Sequence, residues 1–302
     1  MMPDRLVSFA KNAISIVICV LGIPLLIRKW VCRNRVTILL YHDVLPEVFA
    51  KHLAYLSRQY NIISLDTLVT AIYNKDFTKI PPKSVVVTID DGHAGNFALL
   101  PIIKQYHIRP TIYVCTQIIN THRHFWFRIQ EQSKKEKERL KRLSNADRLA
   151  HLKNIVDFEP EKEYQDRQAL NIDEMQEMMQ DVDFQPHTQF HPILPYCTEA
   201  ECRREILESK ADLENFLGIE CFHFSYPNGD YTKREIEIVK DGAFHSARTT
   251  DLGWNGVRTS PYKLKAISIS DDAGLIRFRA ELTTIPQRLG KWVNSLLWKI
   301  TN

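Results

Sequence analysis

The chain has 302 residues, of which 44% are hydrophobic and 25% charged, an ordinary globular composition with room for one large α/β domain or two small ones. A net charge of +4 without a basic stripe in the domain argues against a nucleic-acid partner. Six cysteines without a CxxC pair exclude a disulfide framework or a zinc–cysteine module.

Residues 1–35 form a first unit. Ala13–Ile27 is an uncharged apolar run between Lys11 and Arg28-Lys29, with Pro24 as a kink. It falls short of the ~20 residues that cross a bilayer, although Phe9, Ala10, Trp30 and Val31 extend it. A short spanning helix, a re-entrant or interfacial helix and a buried first helix are all open readings. Membrane attachment is the expected one, and the lack of a small-x-small cleavage signal favours a retained anchor over a removed signal peptide. Arg28, Lys29, Arg33 and Arg35 outnumber Arg5 and Lys11, so the main domain is expected to face the cytoplasm.

From Val36 strands and helices alternate, as in a mainly parallel sheet. Val36–Tyr41 reads as a strand, Phe49–Tyr60 as a helix, Ile62–Leu65 as a short strand and Asp66–Tyr73 as a helix capped by Asp66. Val85–Ile89 is a β-branched run suited to a strand buried on both faces. It ends in Asp90-Asp91-Gly92, and two carboxylates there need a cation, a proton or several donors. Asn96–Tyr106 reads as a helix and Thr111–Cys115 as a strand.

Residues 122–179 break the pattern with the charged run Lys134–Arg142, read as a solvated helical insertion. Its aromatic trio Phe125-Trp126-Phe127 is either a surface feature or part of a substrate lid. Strands are then expected at Val182–His187, Cys221–Ser225, Ala243–Thr249 and Leu264–Ile269, with helices at Glu199–Leu217 and Thr232–Lys240. Residues 283–302 form a basic amphipathic tail with Leu289, Trp292, Leu296 and Ile300 on one face. Such a helix packs on the domain or lies on an anionic membrane.

His187 and His191 are four residues apart beside Pro186 and Pro192. Two imidazoles and one carboxylate, from Asp90 or Asp91, make a catalytic metal site with an open position. At these residues the sequence resembles the polysaccharide deacetylase (NodB-homology) family of carbohydrate esterases. Thr88–Gly92 resembles its first motif, His187–Pro192 its second and Phe224–Gly229 its third. The aromatic trio and Asp271–Leu282 resemble a membrane-associated or exopolysaccharide-linked branch. The resemblance spans about residues 36–282. It implies a distorted (β/α) barrel, an α/β fold, carrying the insertion and the N-terminal apolar segment.

It also implies roles. Asp91, His187 and His191 would hold one divalent metal, zinc in first place, with cobalt, nickel or manganese also accommodated. Asp90 would be the general base, and the backbone N–H of Asn228 would face the oxyanion. Tyr226, Pro227 and Gly229 would bind substrate. The implied reaction removes an acetyl or formyl group from an amino sugar in a polysaccharide, a lipid-linked or a nucleotide-linked glycan.

Two departures stand out. Ser225 occupies the place of the family's arginine, for which Arg248 or Arg258 is a substitute. Leu264–Ile267 lacks the family's acid histidine, leaving His93, His42, His223 and His245 as candidates by chemistry, with His93 and His42 nearest the motifs. These gaps motivate a second reading, a carbohydrate-binding protein of the same fold without turnover.

Overall fold

A computed structural model describes residues 4–129 and 133–290. In chain order the helices are α1 (Asp4–Val20), α2 (Ile23–Trp30), α3 (Pro46–Gln59), α4 (Leu65–Tyr73), α5 (Leu100–Tyr106), α6 (Lys134–Leu140), α7 (Asn145–Val156), α8 (Ile172–Met178), α9 (Glu199–Leu217), α10 (Lys233–Asp241) and α11 (Leu275–Glu281). The strands are β1 (Thr37–Tyr41), β2 (Asn61–Ile62), β3 (Ser84–Ile89), β4 (Thr111–Val114), β5 (Asp183–Pro186), β6 (His223–Ser225), β7 (Ser246–Leu252) and β8 (Leu264–Ser268). All ladder pairings are parallel, in the order β5-β4-β3-β1-β8-β7-β6, with β2 attached to β3.

The seven ordered strands curve into a nearly closed barrel. Side chains bridge its remaining gap, between β5 and β6. Gln185 Oε1 accepts the N–H groups of Phe222 and His223 at 2.9 and 2.8 Å, and His187 Nδ1 bonds the Ser225 carbonyl at 2.7 Å. The polar character of β5 follows from this task, because buried backbone groups must find partners.

Alternation sorts the strand residues. Ile38, Leu40, Val86, Tyr113, Leu264 and Ala266 face inward and cluster with Leu65, Leu68, Val69 and Ile72 of α4. Helix α4 thus closes one end of the barrel. The intervening Leu39, Tyr41, Val85, Val87, Ile112 and Val114 pack against the outer helices. Helix α4 is capped by Ser64, whose side chain accepts the Thr67 N–H; the cap expected at Asp66 lies one residue inside the helix. Asp66 instead bonds His223.

The insertion forms α6 and α7 around a small core of Trp126, Leu140, Leu152, Phe158 and Ile193. Helix α8, placed within the insertion by sequence, buries Met175 and Met178 in the main core. At the N-terminus the apolar run falls on α1 and α2, which bend by 64° at a break containing Gly22. No single helix among the described residues is long and apolar enough to cross a membrane. Most of the expected amphipathic tail, from Lys291 onward, lies outside the described residues.

Candidate active site

The site lies at the C-terminal ends of the strands. Asp90 and Asp91 follow β3, the His187–His191 loop follows β5, and Asn228 follows β6. Asp91, Gly92, Thr188, His191, Asn228 and Gly229 all have positive φ. Such backbone is costly outside glycine and concentrates where side chains must be aimed. At Gly92 a Cβ would approach Val114 Cγ1 to 2.7 Å, so only glycine fits the turn after the aspartates.

Asp91, His187 and His191 converge, with one ligand atom from each within 4.8 Å of the others. His187 Nε2 and His191 Nε2 stand 3.6 and 3.5 Å from Asp91 Oδ1, and that oxygen is buried without a hydrogen-bond partner. Those separations are long for hydrogen bonds. They suit donors that share one ion at about 2.0–2.2 Å each. The His187 Nδ1–Ser225 bond aims the Nε2 lone pair at the same point. Burial lowers the pKa of both histidines, His191 to about 3, so both are neutral ligands. Burial works against the Asp91 charge, but the His93 bond and nearby imidazoles outweigh it and hold Asp91 well below the usual carboxylate range. The residues therefore fit a divalent metal.

Asp90 sits beside this triad, its Oδ2 3.7 Å from His187 Nε2. Arg248 of β7 reaches the same oxygen and also bonds Ser225 Oγ. Arg248 is fully buried and lies against the Tyr113 ring, 5.3 Å from its centroid. Of the two candidate arginines it is the one that meets Asp90, whereas Arg258 lines a separate cleft with Arg35 and Lys263. Just beyond Arg248 the β7–β8 register shifts, with Arg248–Leu252 lying against Leu264–Ala266. The bulge bends β7 next to the site.

Both ring nitrogens of His93 are engaged, Nε2 with Asp91 Oδ2 at 3.1 Å and Nδ1 with Arg128 at 2.9 Å. Arg128 also bonds Asp43 Oδ2 at 3.0 Å. This arrangement corrects the acid assignment: His93 orients a ligand and has no nitrogen left for a leaving group. His223 is bonded to Ser246 and Asp66, and His245 stacks on Phe222. Of the four histidines only His42 lines the catalytic cavity, a space of about 290 Å³ that also contacts Asp90, Asp91, Trp126, Phe127 and Asn228.

Tyr226, Pro227 and Gly229 do not line that cavity. They are buried beneath Asn228, with Tyr226 bonded to the Tyr262 carbonyl and Gly229 pressed against Thr250. Their task is to shape the loop, which corrects the substrate-binding assignment. The aromatic trio does reach the site: Phe127 packs on His191 at 4.6 Å, and Trp126 Nε1 donates to the His191 carbonyl at 2.9 Å. Lys137 and Lys141 of the insertion complete the cavity wall.

Glu205 was not apparent from the sequence. Its Oε2 accepts the N–H groups of Gln189 and Phe190 at 2.8 and 3.0 Å, fixing the loop that carries His191. Burial pushes its pKa up to about 7. The signal was a charged residue on the buried face of α9, between Cys202 and Ile206.

The family model for polysaccharide deacetylase matches residues 78–246, more than half of the chain. The chain belongs to the polysaccharide deacetylase family. Among solved structures, this family member is similar to the Streptococcus pyogenes deacetylase PplD in complex with acetate, with a TM-score of 0.60 at 20% identity over 83% of this chain and 97% of that one. It is similar to IcaB from Ammonifex degensii, with a TM-score of 0.59 at 17% identity over 84% and 97%. It is also similar to a de-N-acetylase from Aggregatibacter actinomycetemcomitans, with a TM-score of 0.56 at 15% identity over 82% and 100%. At these identities the likeness establishes a shared barrel fold. No curated protein sequence matches this chain.

Proposed function

We propose that this polysaccharide deacetylase family member hydrolyses the N-acyl group, acetyl or formyl, of an amino sugar in a glycan, using one divalent metal. The observation that carries this reading is the placement of Asp90, held by Arg248, beside the converging Asp91, His187 and His191. The names of the structural neighbours support deacetylation.

When bound at Asp91, His187 and His191, a divalent ion such as zinc would lower the pKa of a water and polarise the acyl carbonyl. Asp90 is the base that takes the proton of the attacking water, and the Arg248 bond holds that carboxylate in place. The backbone N–H of Asn228, at the cavity wall, faces the developing oxyanion. His42 is the donor that returns a proton to the departing nitrogen as the C–N bond breaks. It directly follows β1, which pairs with β8, the region where the family's acid histidine is missing. The products are a carboxylate and a free amine. Because Arg248 supplies the missing arginine, the binding-protein reading keeps only one of its two motives.

The proposal extends to a substrate met at a membrane. Support comes from the exposed apolar side chains Val17, Val20, Leu21, Leu25, Leu26 and Trp30 on α1, α2 and their junction, next to Arg28 and Lys29. A domain on the cytoplasmic face would meet a lipid-linked or nucleotide-linked sugar. Deleting residues 1–30 is expected to release the protein from membranes. The reaction is tested by acetate and formate release from polyprenyl-linked, nucleotide-linked and oligomeric N-acylated amino sugars. Release from one class supports the hydrolase. No release from a metal-loaded protein that still binds sugar supports the binding protein.

A further inference from the structure

Trp126 lines two cavities, the catalytic one and a second of about 280 Å³. The second is walled by Trp126, Phe158 and Phe190, with Arg148 of α7 among them. Arg148 is only 1% exposed. Its guanidinium lies 4.7 Å from the Trp126 ring centroid, and one nitrogen, Nη2, bonds Asn145 Oδ1. Its Nε and Nη1 have no hydrogen-bond partner.

A guanidinium remains charged at every physiological pH. Burying one with donors unmet is costly unless an acceptor reaches it. Glu205, on the same cavity wall, has its Oε2 committed to the Gln189 and Phe190 N–H groups. Exposed Arg204 adds positive charge at the wall, while Glu159 and Glu161 add exposed negative charge. The free donors, the aromatic surfaces and the volume together describe a site for an oxyanion carried on a ring.

We propose that this cavity is an oxyanion subsite in which Arg148 binds a carboxylate or phosphate group, while Trp126, Phe158 and Phe190 take the sugar ring that bears it. Phe190 and Pro192 flank His191, and Trp126 bonds the His191 carbonyl, so the subsite abuts the back of the histidine loop. The assignment of the ring to a glycan rests on the proposed function; anion binding at Arg148 does not.

The test is isothermal titration of the full-length protein with glucuronic acid, inorganic phosphate and glucose, repeated on Arg148→Met and Arg148→Lys. Methionine keeps an unbranched stem over Trp126 and removes the charge. The wild-type protein is expected to bind an anion and to bind glucose at least tenfold more weakly. Arg148→Met should lose at least tenfold in anion affinity, and Arg148→Lys should lose less. Tighter binding of glucuronic acid than of phosphate identifies an acidic sugar; the reverse order identifies a phosphate group. Failure of the wild-type protein to bind either anion overturns the proposal. So does equal anion binding by a folded Arg148→Met variant, or by Arg148→Lys if the methionine variant does not fold. Binding is read without turnover, so a failed deacetylase assay and a failed subsite are separate results.

Discussion

Arg248 and Asp90 are bonded across the mouth of the barrel, although two strands, β1 and β8, separate β7 from β3. Arg248→Met leaves Asp91, His187 and His191 untouched and removes the partner of Asp90, the proposed base. A loss of about 10²–10³ in kcat is expected, with KM changed far less, because the bond acts on chemistry more than on binding. Steady-state kinetics on a substrate found by the acyl-release panel would check this. A matching rise in KM with kcat intact would place Arg248 in substrate binding.

His93→Leu removes the donor to Asp91 Oδ2 and cuts Asp91 off from Arg128 and Asp43. Loss of such an outer partner typically weakens metal affinity by about 10–100-fold. Excess zinc should therefore restore turnover. Turnover that stays low at saturating metal would return His93 to the proton-donor role.

Gln185→Leu tests how the barrel closes. It leaves the Phe222 and His223 N–H groups without their acceptor. At about 1–3 kcal/mol for each unmet buried donor, a loss of roughly 3 kcal/mol is expected in urea unfolding. A change below about 0.5 kcal/mol would mean that β5 and β6 close by other contacts.

His52 is buried, stacked on Phe278 at 3.9 Å and bonded to Ala273 O at 2.7 Å. Burial lowers its pKa from 6.5 to about 4. Between those values the unfolded chain binds the extra proton, so stability falls as pH drops through the window. The shift corresponds to roughly 3 kcal/mol from this residue. His52→Gln should flatten that part of the pH dependence. An unchanged slope would show that His52 does not titrate on unfolding.

That Asp91, His187 and His191 come together was legible because they lie in two short motifs, each held within a single loop. The barrel was legible from the strand–helix alternation and from the family resemblance. Arg248 was left open beside Arg258, because only the barrel's curvature and the β7 bulge decide which arginine reaches Asp90. His93 misled for the opposite reason: proximity in sequence put it at the site, but its ring is held between Asp91 and Arg128. Tyr226, Pro227 and Gly229 share a motif with Asn228, yet the tight turn exposes Asn228 and buries the other three. Glu205 and Gln185 act on backbone N–H groups from other elements, a relationship with no local sequence pattern.

The central claim is that Asp90 is a base beside a metal held by Asp91, His187 and His191. Metal content and acyl release should be measured together on the wild-type protein, Asp90→Asn and His191→Ala. The account predicts about one divalent ion per chain and turnover in the wild type. It predicts retained metal with turnover reduced at least 10³-fold in Asp90→Asn, and loss of both in His191→Ala. Full metal content in folded His191→Ala, or normal turnover in Asp90→Asn, would contradict it.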